Sequence, residues 1–337
     1  GFLSPLSLSG DLSQAEVMLT AAFSQLQALY SDIDHVHTLN CMCALGQVLC
    51  EQGKYTEAKE THKICLEKRN QLLGPLHIQS LESMMYLAVT YTEEGRYEEA
   101  ERLHTECLEK KYQLLMTASC ETVTDTSMDT STSTSLDALT STSTSRLKEE
   151  STLKIMTSVM ESLNYLGTAH HYLGKHNEAE KNYKLCISQR EKYLGRDHPD
   201  TLSSMVNLAT LYSDQGKLEA SEALYVESLE KIKMKLGNTH RNTMSTMMNL
   251  ATVYLRQGNY HSAEKLYNDC LTMKRGVLGE YHPDTIGSMM NLAAVYRHQE
   301  KISEAKQMYR KCLDLCKSHL SENHPYTDIC RMNLTKV

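Results

Sequence analysis

The side chains best equipped for chemistry in this chain are thiols and imidazoles, and both recur at a fixed spacing. Cys65, Cys107, Cys186, Cys270 and Cys312 each lie twelve residues beyond a turn residue, and Ser228 takes that slot in one further copy. His77, His198, His240, His282 and His324 form a second ladder. Thiolates and imidazoles are ligands for zinc and the usual nucleophile and base of covalent catalysis. The spacing argues against both uses. Ligands of one metal ion must converge to about 2 Å from it, whereas copies one repeat apart are separated by a helix-packing distance of roughly 10 Å. A thiol held at one slot reads instead as a small hydrophobe where helices approach closely. The histidines read as helix starts. Cys41, Cys43 and Cys50 lack the paired clusters of a zinc site, and His170-His171 has no acidic or cysteine partner at useful spacing. With no nucleophile–base constellation and no phosphate-cradling glycine loop, the sequence reads as non-enzymatic, with no metal and no cofactor.

The elements that carry these ladders follow from the turn residues. Gly53, Gly95, Gly174, Gly216 and Gly258, with Glu300 in the same slot, are separated by 42, 79, 42, 42 and 42 residues, and 79 is 42 plus an insertion of 37. A partial copy around Gly10-Asp11-Leu12 precedes them. Upstream of each turn lies a stretch such as Asn249-Leu250-Ala251-Thr252-Val253-Tyr254, with apolar residues at three- and four-residue intervals, the helical period. Downstream lies a longer helix such as 263–278. Between hairpins runs Leu278-Gly279-Glu280-Tyr281-His282-Pro283-Asp284-Thr285, matched at 194–201 and less completely at 73–80, 236–243 and 320–327. Glycine stops one helix and proline opens the next. A period of this length predicts a solenoid, in which each hairpin buries an apolar face that it cannot cover alone.

Composition narrows the function. The chain has 337 residues, a net charge of −7 and 41% hydrophobic residues, with a pI near 6.1. An acidic balance argues against nucleic acid, whose phosphates need a basic face. No apolar run approaches the length that spans a bilayer, which predicts no membrane insertion. Eleven cysteines, an odd number in a long chain, predict free thiols in a reducing, cytoplasmic setting. The opening Gly1-Phe2-Leu3-Ser4-Pro5 does not read as a secretory signal and suggests a fragment of a larger protein. The Asn333-Leu334-Thr335 sequon falls in a predicted helix and is discounted.

The Asn-Leu-Ala…Tyr run, the Gly-Lys-Tyr-x-Glu-Ala turn (residues 53–58) and the Leu-Gly-x-x-His-Pro-Asp-Thr loop resemble the tetratricopeptide repeat family. The resemblance is to its 42-residue variety, found in kinesin light chains and nephrocystin-type proteins, and it covers nearly the whole chain outside 117–153 and the first residues. It implies an all-α, right-handed α-solenoid of stacked antiparallel hairpins whose first helices line a concave groove. It also places Asn207, Asn249, Asn291 and Asn333 at one groove-facing position, where relatives use asparagines to hydrogen-bond an extended ligand. An amide offers a donor and an acceptor for that task. Support of neighbouring helices is the other reading of this ladder. Met85, Met248, Met290 and Met332, with Val206 in the same slot, each one residue before the asparagine position, are expected to edge the groove, while Met84, Met205, Met247 and Met289 point into the core. Flexible methionine suits a surface that takes several apolar anchors. Arg256 and Arg297, with His298 and Lys336, set a basic character that favours short acidic motifs. A carboxylate clamp of the chaperone-adaptor kind is not expected, because its slots hold Val206/Thr210 and Met248/Thr252.

Three segments follow: N-terminal repeats over 1–116 (a partial hairpin and two full ones), a Ser/Thr-rich insertion over 117–153, and C-terminal repeats over 154–337 (four full hairpins and a final single helix). Residues 117–152 hold 20 Ser or Thr in 36 and show no apolar period. That composition predicts a disordered loop. The functional expectation is a scaffold or adaptor that binds linear motifs or partner helices of other proteins. A passive or self-associating array and a regulatory region of a larger signalling protein are the alternatives.

Overall fold

The computed structural model describes residues 12–30, 35–124, 135–320 and 325–336, and the side chains among them outside 118–149. Fourteen α-helices and no strand occur among the described residues. A single helix α1 (Leu12–Tyr30) precedes the pairs α2 (Val36–Glu51) and α3 (Tyr55–Leu73), α4 (Ile78–Glu93) and α5 (Tyr97–Thr124), and α6 (Ser135–Tyr172) and α7 (His176–Tyr193). These are followed by α8 (Pro199–Asp214) and α9 (Leu218–Leu236), α10 (Arg241–Arg256) and α11 (Tyr260–Leu278), α12 (Pro283–His298) and α13 (Ile302–His319), and a last helix α14 (Pro325–Thr335). They group into two compact units, Gly1–Gln189 and Arg190–Val337. Within each unit a helix packs mainly on its neighbours in sequence. This is the stacked-hairpin plan that the 42-residue period predicts.

Each punctuation residue has a mechanical task. Gly216 lies at φ 77°, and this lets its N–H reach Ser213 O at 2.9 Å and Lys217 N–H reach Tyr212 O at 2.8 Å. The carbonyls at the end of α8 are thereby satisfied before α9 begins. In the loop that follows, Gly237 N–H bonds Lys233 O at 3.0 Å, and Thr243 Oγ1 donates back to Gly237 O at 2.7 Å. His240 Nδ1 then accepts from Asn242 N–H at 3.2 Å. That histidine is therefore the N-cap of α10, occupying a place usually given to Ser, Thr, Asp or Asn. His77, His198 and His282 cap α4, α8 and α12 in the same way. His35 caps α2 as well, and His324 lies outside the described residues.

The cysteine column is core. Cys65, Cys107, Cys186, Cys270 and Cys312 are fully buried, and each thiol points at a carbonyl 26 residues earlier. Cys186 Sγ meets Met160 O at 3.1 Å, and Cys270 Sγ meets Met244 O at 3.4 Å. A second column crosses between hairpins and is polar. Arg69 Nη1 reaches Gln79 O and Ser83 Oγ, both at 2.8 Å, and Lys111 Nζ reaches Ser158 O at 3.0 Å and Ser162 Oγ at 2.8 Å. Both cations are buried, so these bonds are what offsets their loss of hydration.

The insertion departs from expectation. Helix α5 continues to Thr124 and α6 starts at Ser135, so helix enters the Ser/Thr-rich segment from both sides, while 125–134 lie outside the described residues. The segment 117–153 contains neither Pro nor Gly, and its end is rich in helix formers (Arg146-Leu147-Lys148-Glu149-Glu150). Glu150 and Lys154 form an i,i+4 pair at 3.7 Å. A low apolar content removes tertiary support for a helix without removing its local propensity.

Candidate functional site: the exposed stripe of the first helices

The predicted binding residues all fall in the second unit, on α8, α10, α12 and α14. An exposed or half-exposed stripe runs along these helices at three- and four-residue intervals. On α10 it carries Asn242, Ser245, Asn249, Thr252 and Arg256, and on α8 Ser203, Asn207, Thr210 and Asp214. Asn207, Asn249 and Asn333 are half-exposed and Asn291 is exposed, so the structure sets the asparagine ladder on the solvent side of each helix. The stripe is polar because the opposite face carries Met205, Met247 and Met289, all buried as expected.

Asn249 also does structural work. Its amide faces the phenol of Tyr225, which in turn lies 2.7 Å from Thr210 Oγ1. Tyr267 meets Thr252 Oγ1 at the same distance one hairpin later. Burial raises the pKa of both phenols and keeps them neutral hydrogen-bonding groups. The threonines at the would-be clamp slots therefore hold tyrosines of the following helices.

Two expectations need correcting. Met85 is buried among Leu81, Met84 and Cys107, and Met290 is only 7% exposed and belongs to the core around Met289, Leu292 and Tyr309. It fills the space between helices and does not edge a groove. Met248 is half-buried and packs against the cores on both sides of it. Arg297 does not share a face with Arg256: the stripe position 42 residues after Arg256 is His298, and one residue turns a side chain by about 100° around a helix. Arg297 is half-buried and Arg256 is the exposed one. Arg256 already donates to Ser213 O at 2.6 Å and Ser213 Oγ at 2.8 Å, with Asp214 at 4.0 Å. Part of its hydrogen-bonding capacity is thus spent on closing the end of α8.

The residues that sequence reasoning missed lie nine positions after each turn. The slot holds His62, His104, Tyr183, Tyr225, Tyr267 and Tyr309, all buried. The asparagine slot 24 residues further on holds Tyr86, then Tyr165 across the insertion, then Asn207, Asn249, Asn291 and Asn333. A small ring in one slot is matched by a large one in the other. In the first unit His62 stacks on Tyr86 with centroids 5.9 Å apart, and His104 on Tyr165 at 5.8 Å. The signal was present as a pair of alternating columns, visible only once the helices are known to touch. Beneath His62, a Cβ on Gly46 would come within 2.6 Å of the ring, so any larger residue there would have to displace the buried imidazole. Among the described residues no three His, Cys, Asp or Glu side chains converge to hold a metal ion, and no helix is long and apolar enough to cross a membrane.

This architecture, helix hairpins in register with an exposed polar stripe on alternate helices, defines a helical-repeat protein. The tetratricopeptide repeat family model matches residues 37–112, 158–234, 208–276 and 242–318. That is more than half of the chain, which therefore belongs to the tetratricopeptide repeat family. No curated protein sequence matches it. Among solved structures it is similar to BtubC (BKLC) from P. vanneervenii, at 16% identity over 78% of this chain and 91% of that one, with a TM-score of 0.57. A putative kinesin light chain with nearly identical TPR-like repeats from Podosopora anserina is similar at 19% identity over 72% and 97%, with a TM-score of 0.51. The apo quorum sensor NprR from B. thuringiensis is similar at 13% over 100% and 83%, with a TM-score of 0.59. At these identities the likeness shows the fold. Repeats of this family mediate protein–protein interaction.

Proposed function

We propose that the chain is a non-catalytic scaffold that binds an extended segment of another protein along the stripe of α8, α10 and α12. The observation that carries this reading is the exposed amide of Asn291, in register with the half-exposed amides of Asn207 and Asn249 and beside a stripe that exposes Ser245. Donors and acceptors that alternate along a helix face suit a peptide backbone, which offers one of each per residue. Preference for acidic motifs follows from Arg256, His298 and Lys336 near the helix ends. A cytoplasmic, reducing location suits ten described cysteines that are all free.

The test is a peptide array probed with the full chain. Because Asn249 faces Tyr225, the diagnostic variant is Asn291→Leu, which disturbs no core bond. Loss of captured peptides in that variant, with an unchanged melting temperature, supports the stripe. Undiminished capture refutes it and turns attention to self-association, measured by sedimentation. Arg256→Glu with His298→Glu should weaken acidic peptides about tenfold, and equal affinity removes the acidic preference.

A further inference from the structure

One slot of the repeat holds a cation in four of its six copies; the copies at the α9–α10 and α13–α14 junctions do not. Sixteen residues after each turn come Arg69, Lys111, Arg190, Ile232, Lys274 and Cys316. Three of the cations take a carbonyl and a hydroxyl in the first turns of the helix that follows, and Lys274 takes the carbonyl alone, with Ser288 Oγ donating to the same Asp284 O. Arg190 Nη1 donates to Asp200 O and to Ser204 Oγ, both at 2.6 Å. Lys274 Nζ donates to Asp284 O at 3.3 Å, and Arg69 and Lys111 repeat the pattern in the first unit. At the α9–α10 junction the equivalent acceptors are Asn242 O and Thr246 Oγ1, but Ile232 is too short and too apolar to reach them. Thr246 turns its hydroxyl back onto Asn242 O at 2.8 Å.

A pocket of about 110 Å³ lies at that junction. Leu202, Val206, Ile232 and Leu236 supply its apolar walls, and Asn242 and Thr246 its polar end. The exposed Ser203 and Ser245 also line it, so it opens onto the same stripe of α8 and α10.

We propose that this pocket receives the arginine or lysine side chain of a bound partner segment, so that the partner supplies the cation that neighbouring repeats carry themselves. The inference rests on the stripe being the peptide-binding face and specifies one anchor of the peptide. An aliphatic stem lies along Leu202, Val206 and Ile232, and a terminal donor replaces the intrahelical bond of Thr246. A purely apolar occupant would leave the polar end desolvated. A carboxylate would meet Asn242 O, which can only accept. Lys235 stands at the mouth and is exposed, so it opposes an entering cation and gives the test its sign.

The probe is the acetylated, amidated pentapeptide Gly-Gly-Arg-Gly-Gly, with counterparts carrying citrulline or glutamate in place of arginine, added to the full chain and read from methyl resonances of Leu202 and Val206. The arginine peptide is expected to shift these methyls with saturation, and citrulline, isosteric but neutral, to bind roughly tenfold more weakly. Ile232→Arg restores the repeat's own cation and should abolish binding without lowering the melting temperature. If that variant does not fold, Thr246→Val, an isostere lacking the acceptor, carries the test and should cost about tenfold in affinity. Lys235→Ala should tighten binding about twofold. Equal binding of citrulline, tighter binding of glutamate, weaker binding by Lys235→Ala, or indifference to both Ile232→Arg and Thr246→Val overturns the proposal. Asn291 does not line the pocket, so Asn291→Leu should leave pentapeptide binding intact. Lost capture on the array beside unaltered pentapeptide shifts would count for the stripe and the pocket separately, and failure of either is visible without the other.

Discussion

Glu300 occupies the slot that glycine holds at 53, 95, 174, 216 and 258, at φ 62°. A residue with a Cβ pays about 1–2 kcal/mol for that left-handed conformation, and the greater freedom of glycine in the unfolded chain offsets part of the relief. Glu300→Gly should therefore stabilise the second unit by roughly 0.5–1 kcal/mol, read from the urea midpoint, while Glu300→Ala, which keeps the strain, should not. Ser228 is the other departure from its column. Its hydroxyl is buried and has no partner among the described residues, where Cys270 and Cys312 direct a longer thiol at a carbonyl. Ser228→Cys should gain on the order of 1 kcal/mol, and Cys270→Ser should lose a similar amount; equal stability in both directions would show that the column tolerates either atom. At this scale the sequence was readable wherever one residue type serves one slot. It was silent about Arg256, because nothing in a single helix tells that its guanidinium closes the helix 43 residues earlier.

Helix boundaries were legible for a physical reason. The loop signature assigns a separate hydrogen bond to each of its residues: glycine closes the outgoing helix, threonine returns to that glycine's carbonyl, and histidine caps the incoming helix. The imidazole acts through an unprotonated Nδ1, so His240→Ala leaves the Asn242 N–H without its acceptor and should cost about 1 kcal/mol, whereas His240→Ser should recover most of it. Faster hydrogen exchange confined to the first turn of α10 is the matching local readout, and exchange unchanged in His240→Ala would deny the cap its role. Less legible were the ends of α5 and α6, since Ser/Thr density speaks for missing packing and says little about local helix. The methionine column was misassigned for a related reason. Position along a helix gives the angle of Met290, but whether that angle is solvent or core depends on how closely the neighbouring helix approaches, and that is set by residues elsewhere, such as Ala251 and Tyr309.

Across the whole molecule, the hairpins before and after the insertion solve the same packing problem with different chemistry, and acid should tell them apart. The slot nine residues past the turn holds His62 and His104 in the two hairpins before the insertion, and Tyr183 in the hairpin that follows it. Burial, helped by the nearby charges of Arg69 and Lys111, lowers their pKa values to about 4 and about 3. Both are neutral in the folded chain, and in the unfolded chain they take up protons near the ordinary value of 6.5. Above that pH neither costs anything. As the pH falls through 6.5 the unfolded state alone gains the protons, so stability drops until the folded values are reached, by on the order of 2–3 kcal/mol per histidine near pH 4.5. The described hairpins of the second unit carry Tyr225, Tyr267 and Tyr309 in the slot and lack this term. Amides of α3 and α5 should accordingly lose exchange protection between pH 6.5 and 4.5 faster than those of α9 and α11. The paired columns supply the control. His104→Tyr alone crowds Tyr165, and Tyr165→Asn alone leaves a void beside His104, so each should destabilise by 1–3 kcal/mol. Together they recreate the tyrosine–asparagine junction found at Tyr225 and Asn249, and the double variant should recover at least 1 kcal/mol relative to the sum of the singles. It should also lose the share of acid sensitivity that belongs to His104. Additive losses in the cycle, or an acid profile unmoved by it, would show that the asparagine ladder owes nothing to the rings behind it.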